Sequence, residues 1–262
     1  MLSTRKFCSS IVSTLFVVGL YGFLYLPIVV LVVFSFNKEP FPAPWAGFTW
    51  HWYHQLWYNS DQIWAALYNS LIVSLSATFL SLIMAVGLIY NMVQGGRIRK
   101  MITIFYANLI VPEIVLAVGL LIVFTLCSIP LGKMTLIVVH TVLGLGYAVP
   151  VLYTRYEELD TRLIEASLDL GANYQQTFAK IILPLISNSL VVGGLLVFII
   201  SFDDFVLSYF CSGTSAQTLP IYILSMLRTG VSPVVNALST GLLMFSSLLV
   251  IVFCFLRARM RL

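Results

Sequence analysis

Apolar runs long enough to cross a bilayer alternate with short polar intervals along the whole chain, and that alternation predicts an all-α bundle of membrane helices. The first run, residues 11–36, follows Arg5 and Lys6. It is about twice the length of a signal-peptide core and no small-x-small cleavage site follows, so it reads as a spanning helix kinked at Pro27. Residues 37–62 hold Trp45, Trp50, Trp52 and Trp57, with Trp64 just beyond, and are broken by Pro40, Pro42 and Pro44. Amphipathic rings favour the headgroup level and a proline-broken segment strands backbone groups in hydrocarbon, so this segment is expected along the outer interface. His51 and His54 lack a neighbouring acid and read as interfacial residues rather than metal ligands.

The second span, residues 63–93, carries Ser70, Ser74, Ala77, Ser81 and Ala85 on one stripe, small residues that predict close approach of another helix. The third, 101–127, contains Pro112 and Glu113. The fourth, 134–156, is made deformable by Gly144, Gly146 and Pro150. The fifth, 185–210, carries Gly193, Gly194, Asp203 and Asp204, and the sixth is 234–256. Six spans put both termini on one side. That side holds Arg5, Lys6, Arg97, Arg99, Lys100, Arg155, Arg162, Lys180, Arg257, Arg259 and Arg261, against Lys38, Lys133 and Arg228 opposite, so eleven cations against three make the termini cytoplasmic.

Composition agrees. With 60% hydrophobic residues, 9% charged and a mean hydropathy of +1.00, the chain is far from a soluble domain. The net charge of +4 is placed by topology rather than gathered into a patch, which argues against nucleic acid. Cys8, Cys127, Cys211 and Cys254 have no metal-ligand spacing; Cys127 and Cys211 fall near the same side and could pair.

The longest polar interval, 157–184, predicts two short helices. Asp160 is expected to cap a helix with an apolar face of Leu159, Leu163, Ala166 and Leu170, widened by Ile164 and Leu168. Gly171 suits a left-handed end. Asn173 with Gln176 then starts a second helix through Phe178, Ile181 and Ile182. An apolar face on a loop outside the membrane calls for a covering partner.

Glu165-Ala166-Ser167, then Gly171, Ile181, Leu183 and Pro184 at their spacing, resemble the EAA loop of permease subunits of ABC importers, with Ser in place of the family's third-position Ala. Two further stretches, 45–53 and 219–238, resemble the second-permease family of spermidine and putrescine importers. The resemblance implies a type I, MetI-like permease fold in a bacterial inner membrane, divided into 1–62, a first helix with its aromatic loop, and 63–262, a permease core. It implies a heterodimer with a second permease subunit, two copies of an ATPase docked on the loop, and an extracytoplasmic binding protein.

No G-x-x-x-x-G-K-[ST] loop is present, so ATP is expected on the partner and no cofactor in this chain. Neither H-E-x-x-H nor a nucleophile elbow appears, which argues against an enzyme. Glu113, Asp203 and Asp204 are acids in apolar runs and usually mark a water-filled path or a counter-ion. Glu113, in the middle of its run, is the acid furthest from hydration at a helix end, and adjacent helical residues point about 100° apart, which separates Asp203 from Asp204. With Tyr209 and Phe210 these acids suit a flexible polyamine through carboxylates and cation-π faces. Relatives carrying iron, thiamine or phosphonates share the framework, and a secondary cation carrier or channel using the same acids, or an assembly factor, stays open.

Overall fold

The computed structural model describes residues 2–39, 44–58, 60–96, 99–229 and 233–259. Among these the secondary structure is helical apart from one isolated bridge between Asn37 and Phe48. The helices are α1 (Leu2–Phe34), α2 (His51–Tyr58), α3 (Asp61–Val93), α4 (Arg99–Asn108), α5 (Glu113–Leu126), α6 (Lys133–Glu157), α7 (Arg162–Asp169), α8 (Tyr174–Thr177), α9 (Leu183–Asp203), α10 (Val206–Cys211), α11 (Leu219–Thr229) and α12 (Pro233–Arg259).

The chain forms two compact units, Met1–Asp61 with Ile223–Leu262, and Gln62–Tyr222. In the first, Asn37 is fully buried and organises the aromatic loop. Its amide nitrogen donates to the carbonyls of Glu39 and Pro44, its amide oxygen accepts from the Ala46 N–H at 2.7 Å, and its backbone carbonyl accepts from the Trp52 indole at 2.7 Å. Beside it, the rings of Phe36, Phe48, Trp50 and Tyr53 pack against one another at centroid distances of 5.0 to 5.6 Å.

In the second unit the small-residue stripe of α3 is buried as predicted, and the Ser81 hydroxyl donates to the Thr141 carbonyl of α6 at 3.1 Å. Gly144 lets α3, α6 and α9 meet. A Cβ there would lie 2.5 Å from Ser81 Oγ and 2.7 Å from Val197 Cγ1, closer than non-bonded atoms approach. Gly144→Val is therefore expected to cost about 1 to 3 kcal/mol through overpacking. Gly119→Ala, with open space around its Cβ, should leave thermal unfolding in detergent unchanged. Equal losses in the two variants would contradict the close approach.

The spans differ from expectation in three places. The third is broken: Ile102–Asn108 and Glu113–Leu126 bend by 111° across residues 109–112. Pro112 is extended and disfavours helix at Val111, while Asn108 turns its amide to the Val142 carbonyl of α6 at 2.9 Å. Glu113 therefore sits at the start of α5, not in the middle of a span. The fifth helix ends at Asp203, because Asp204 takes an extended conformation (φ −66°, ψ 126°), and residues 206–211 form the separate α10. At its other end the short second helix of the polar loop is continuous with α9 through a π turn, Phe178–Ile182, making one 30-residue span, Tyr174–Asp203.

Four helices are long and apolar enough to cross a membrane, five if the bent pair counts as one. The expected six are not reached among the described residues. The sixth expected run, 234–256, lies within the 27-residue helix α12, Pro233–Arg259.

Candidate functional site

The polar loop is built by local rules. α7 begins at Arg162, whose backbone N–H donates to Asp160 Oδ1 at 3.0 Å, so Asp160 serves the helix start from one position earlier than a regular N-cap. The helix ends in a Schellman motif: the Gly171 N–H donates to the Leu168 carbonyl at 2.9 Å and the Ala172 N–H to the Ser167 carbonyl at 3.1 Å, with Gly171 at φ +87°. The expected capping box opens α8. The Gln176 N–H donates to Asn173 Oδ1 at 2.8 Å and the Asn173 N–H to Gln176 Oε1 at 3.0 Å.

The single apolar face expected for α7 divides in two. Leu159 and Ile164 pack on the core formed by Phe178, Ile182, Ile186, Leu145 and Val149, whereas Leu163 and Leu170 are exposed, at 42% and 89%, with Ala166 on the same side. Ser167 is buried instead, and its hydroxyl meets the buried Thr177 hydroxyl at 2.5 Å. Glu165 is exposed. Ile181 and Leu183 pack against the core, and Pro184 lies exposed at the start of α9. Phe178 anchors the junction edge-on to Tyr90 of α3, ring centroids 5.1 Å apart.

The acids lie at helix breaks. Glu113, in the first turn of α5, and Asp203, the last residue of α9, are both exposed in this chain. Neither has a lysine or arginine within ion-pair distance among the described residues. Asp204 faces the other way and is buried. Its Oδ2 accepts the Ser208 N–H at 2.9 Å and its Oδ1 the Leu207 N–H at 3.3 Å, so this carboxylate caps α10. Tyr209 is half-exposed on α10, between Phe205 and Phe210 at centroid distances of 5.4 and 5.6 Å, and Phe210 is partly buried.

His140, which the sequence reading did not single out, completes this cluster from α6. It is 1% exposed. Its Nδ1 meets Ser201 Oγ at 2.8 Å, and its Nε2 meets Ser208 Oγ at 3.2 Å and Asp204 Oδ2 at 3.7 Å. The signal was present: Ser201, Asp204 and Ser208 recur at three and four residues, a polar stripe on an apolar segment facing a lone intramembrane histidine. Elsewhere, Cys127 is exposed and Cys211 buried, both free. His51 and His54 pack against Trp52 and Tyr58, and no metal-ligating group of three or more occurs among the described residues.

Comparison with known proteins adds four findings. The family of binding-protein-dependent transport system inner membrane components matches residues 77–261. The chain is 38% identical over 237 residues to the spermidine/putrescine transport system permease protein PotC of Haemophilus influenzae, covering 90% of this chain and 92% of the relative. It is 34% identical to the putrescine transport system permease protein PotI of Escherichia coli K12, covering 85% and 82%. In fold it is similar to a chain in the crystal structure of a bacterial ABC transporter that imports the acidic polysaccharide alginate, with a TM-score of 0.69 at 14% identity, covering 97% of this chain and 96% of that one.

Proposed function

The chain belongs to the inner membrane components of binding-protein-dependent transport systems, and from that premise we propose that it is the second permease subunit of an ABC importer for spermidine and putrescine. The similarity to PotC over nine-tenths of both chains carries the substrate class. The site chemistry supports it: Glu113 and Asp203 are exposed carboxylates without a fixed cationic partner among the described residues, and the Tyr209 ring offers a cation-π face. An ammonium group can be the missing counter-ion. The subunit pairs with a second permease, and Glu165, Ala166 and Gly171 with the exposed Leu163 and Leu170 form the surface on which one of two ATPase copies docks. An extracytoplasmic binding protein delivers the polyamine on the opposite side.

An ammonium about 4 Å from a carboxylate in an effective dielectric near 20 gains about 4 kcal/mol before desolvation. If about a third survives, Glu113→Gln or Asp203→Asn slows uptake roughly tenfold. The experiment is uptake of labelled spermidine and putrescine into vesicles holding the full complex, at equal protein level. Wild-type rates in both variants would remove these acids from the path. An absence of polyamine uptake by the unmodified complex would defeat the substrate assignment.

A further inference from the structure

Within the polar loop, α7 and α8 are joined by a turn that pivots on Gly171, the residue with the freest backbone in the segment. The outward side chains Leu163 and Ala166 belong to α7 and Leu170 to its C-cap, whereas α8 continues through the π turn into the span that ends at Asp203. A force applied to α7 reaches that span through the pivot, through the packing of Ile164, and through one directional contact, the hydroxyl pair Ser167 and Thr177. The pair is 6% and 0% exposed with oxygens 2.5 Å apart, and the Ser167 carbonyl holds the Ala172 N–H of the Schellman motif at 3.1 Å. Ser167 thus fixes the α7 end through its backbone and the α8 end through its side chain. The π turn that follows buries Phe178 and Ile182 in the core, so whatever displaces Thr177 displaces the base of α9 with it.

We infer that the Ser167–Thr177 hydroxyl pair is a clasp that makes α7 and the α8–α9 span move as one body, and that these two are positioning residues for coupling ATP hydrolysis to transport. The inference rests on the reading of α7 as the ATPase-docking helix. Where a small apolar residue stood at 167, the two helices would be tied by packing alone, which resists separation but not sliding. A hydrogen bond between two buried hydroxyls resists both, because breaking it leaves two polar groups unsatisfied.

The test is the full complex in vesicles, comparing Ser167→Ala, Thr177→Val, Thr177→Ser and the double Ser167→Ala/Thr177→Val. The readouts are polyamine taken up per ATP hydrolysed, binding-protein stimulation of ATP hydrolysis, and thermal unfolding. Loss of the clasp is expected to lower uptake per ATP about fivefold in each hydroxyl-free single variant. Thr177→Ser, which keeps the donor and acceptor, should retain the wild-type ratio. In the double variant both polar groups are gone, so unfolding should return towards wild type while the ratio stays low. A ratio restored in the double variant, or unchanged in both hydroxyl-free singles, would overturn the clasp. If the unmodified complex hydrolyses ATP without moving polyamine, the substrate reading fails instead, and the clasp is then judged by the same fivefold comparison in stimulated hydrolysis.

Discussion

Replacing His140 with leucine is expected to destabilise the protein more than any other single change to a polar side chain in its interior. The imidazole is the shared partner of Ser201 on α9 and Ser208 on α10, at 2.8 and 3.2 Å, with Asp204 Oδ2 at 3.7 Å. Leucine fills the volume but leaves the buried Ser201 hydroxyl without that partner, at about 1 to 3 kcal/mol. It removes one of two partners from Ser208, whose hydroxyl also meets the Asp204 carboxylate. The melting temperature in detergent should fall by about 5 to 10 °C, and His140→Gln, which keeps a donor and an acceptor, should fall less.

The companion variant is Asp204→Asn. The carboxylate accepts backbone N–H groups on both oxygens, whereas an amide has one acceptor oxygen and turns a donor towards the other N–H. Stability should therefore drop, and uptake should fall only as far as the folded complex is lost. A stable Asp204→Asn protein whose polyamine uptake fell tenfold would make Asp204 a path residue and refute its capping role. Glu113→Gln and Asp203→Asn are expected to show the reverse pattern, because both side chains are exposed.

Gly171→Val is expected to stop transport while leaving the chain folded in the membrane. At φ +87° a β-branched residue costs upwards of about 1 to 2 kcal/mol, and nothing lies within 4 Å of its Cβ, so the cost is in the backbone and not in a clash. The chain can relieve it by undoing the Schellman motif, which swings α7 away from α8. Asparagine tolerates this conformation, so the expected order of uptake is Gly, Asn, Ala, Val, measured with stimulated ATP hydrolysis at equal membrane content. Gly171→Val protein with normal stimulated hydrolysis would show that the turn has no part in coupling.

Where local chemistry decides the structure, the sequence was sufficient. A glycine past the last turn of α7, an Asn-x-x-Gln before α8 and a stripe of small residues on α3 each depend on neighbours within a few positions or on one helix face. All three appear as read: Gly171 is left-handed, the Asn173–Gln176 box is closed on both sides, and Ser70, Ser74, Ala77, Ser81 and Ala85 are buried. The family could be read in the same way, because the polar loop at 157–184 carries a spaced pattern within one segment.

What the sequence could not settle is how apolar runs break. Residues 101–127 and 185–210 each have the length and hydropathy of one span, and periodicity alone carries no information on whether a run continues straight. The 111° bend before Glu113 is stabilised by Asn108 reaching the Val142 carbonyl, and the break at Asp204 by His140 and the N–H groups of Leu207 and Ser208. Backbone groups freed from a helix in a membrane must find partners. The N–H groups of Leu109, Ile110 and Val111 return to the carbonyls of Tyr106 and Ala107, and those of Leu207 and Ser208 are held by Asp204. From α6 come the Val142 carbonyl and the His140 ring towards which the Asn108 and Asp204 side chains turn. The same tertiary fact sorted the acids. Asp203 and Asp204 are adjacent and chemically identical, and only the packing of α6 against α9 and α10 turns one carboxylate into a buried cap and leaves the other exposed.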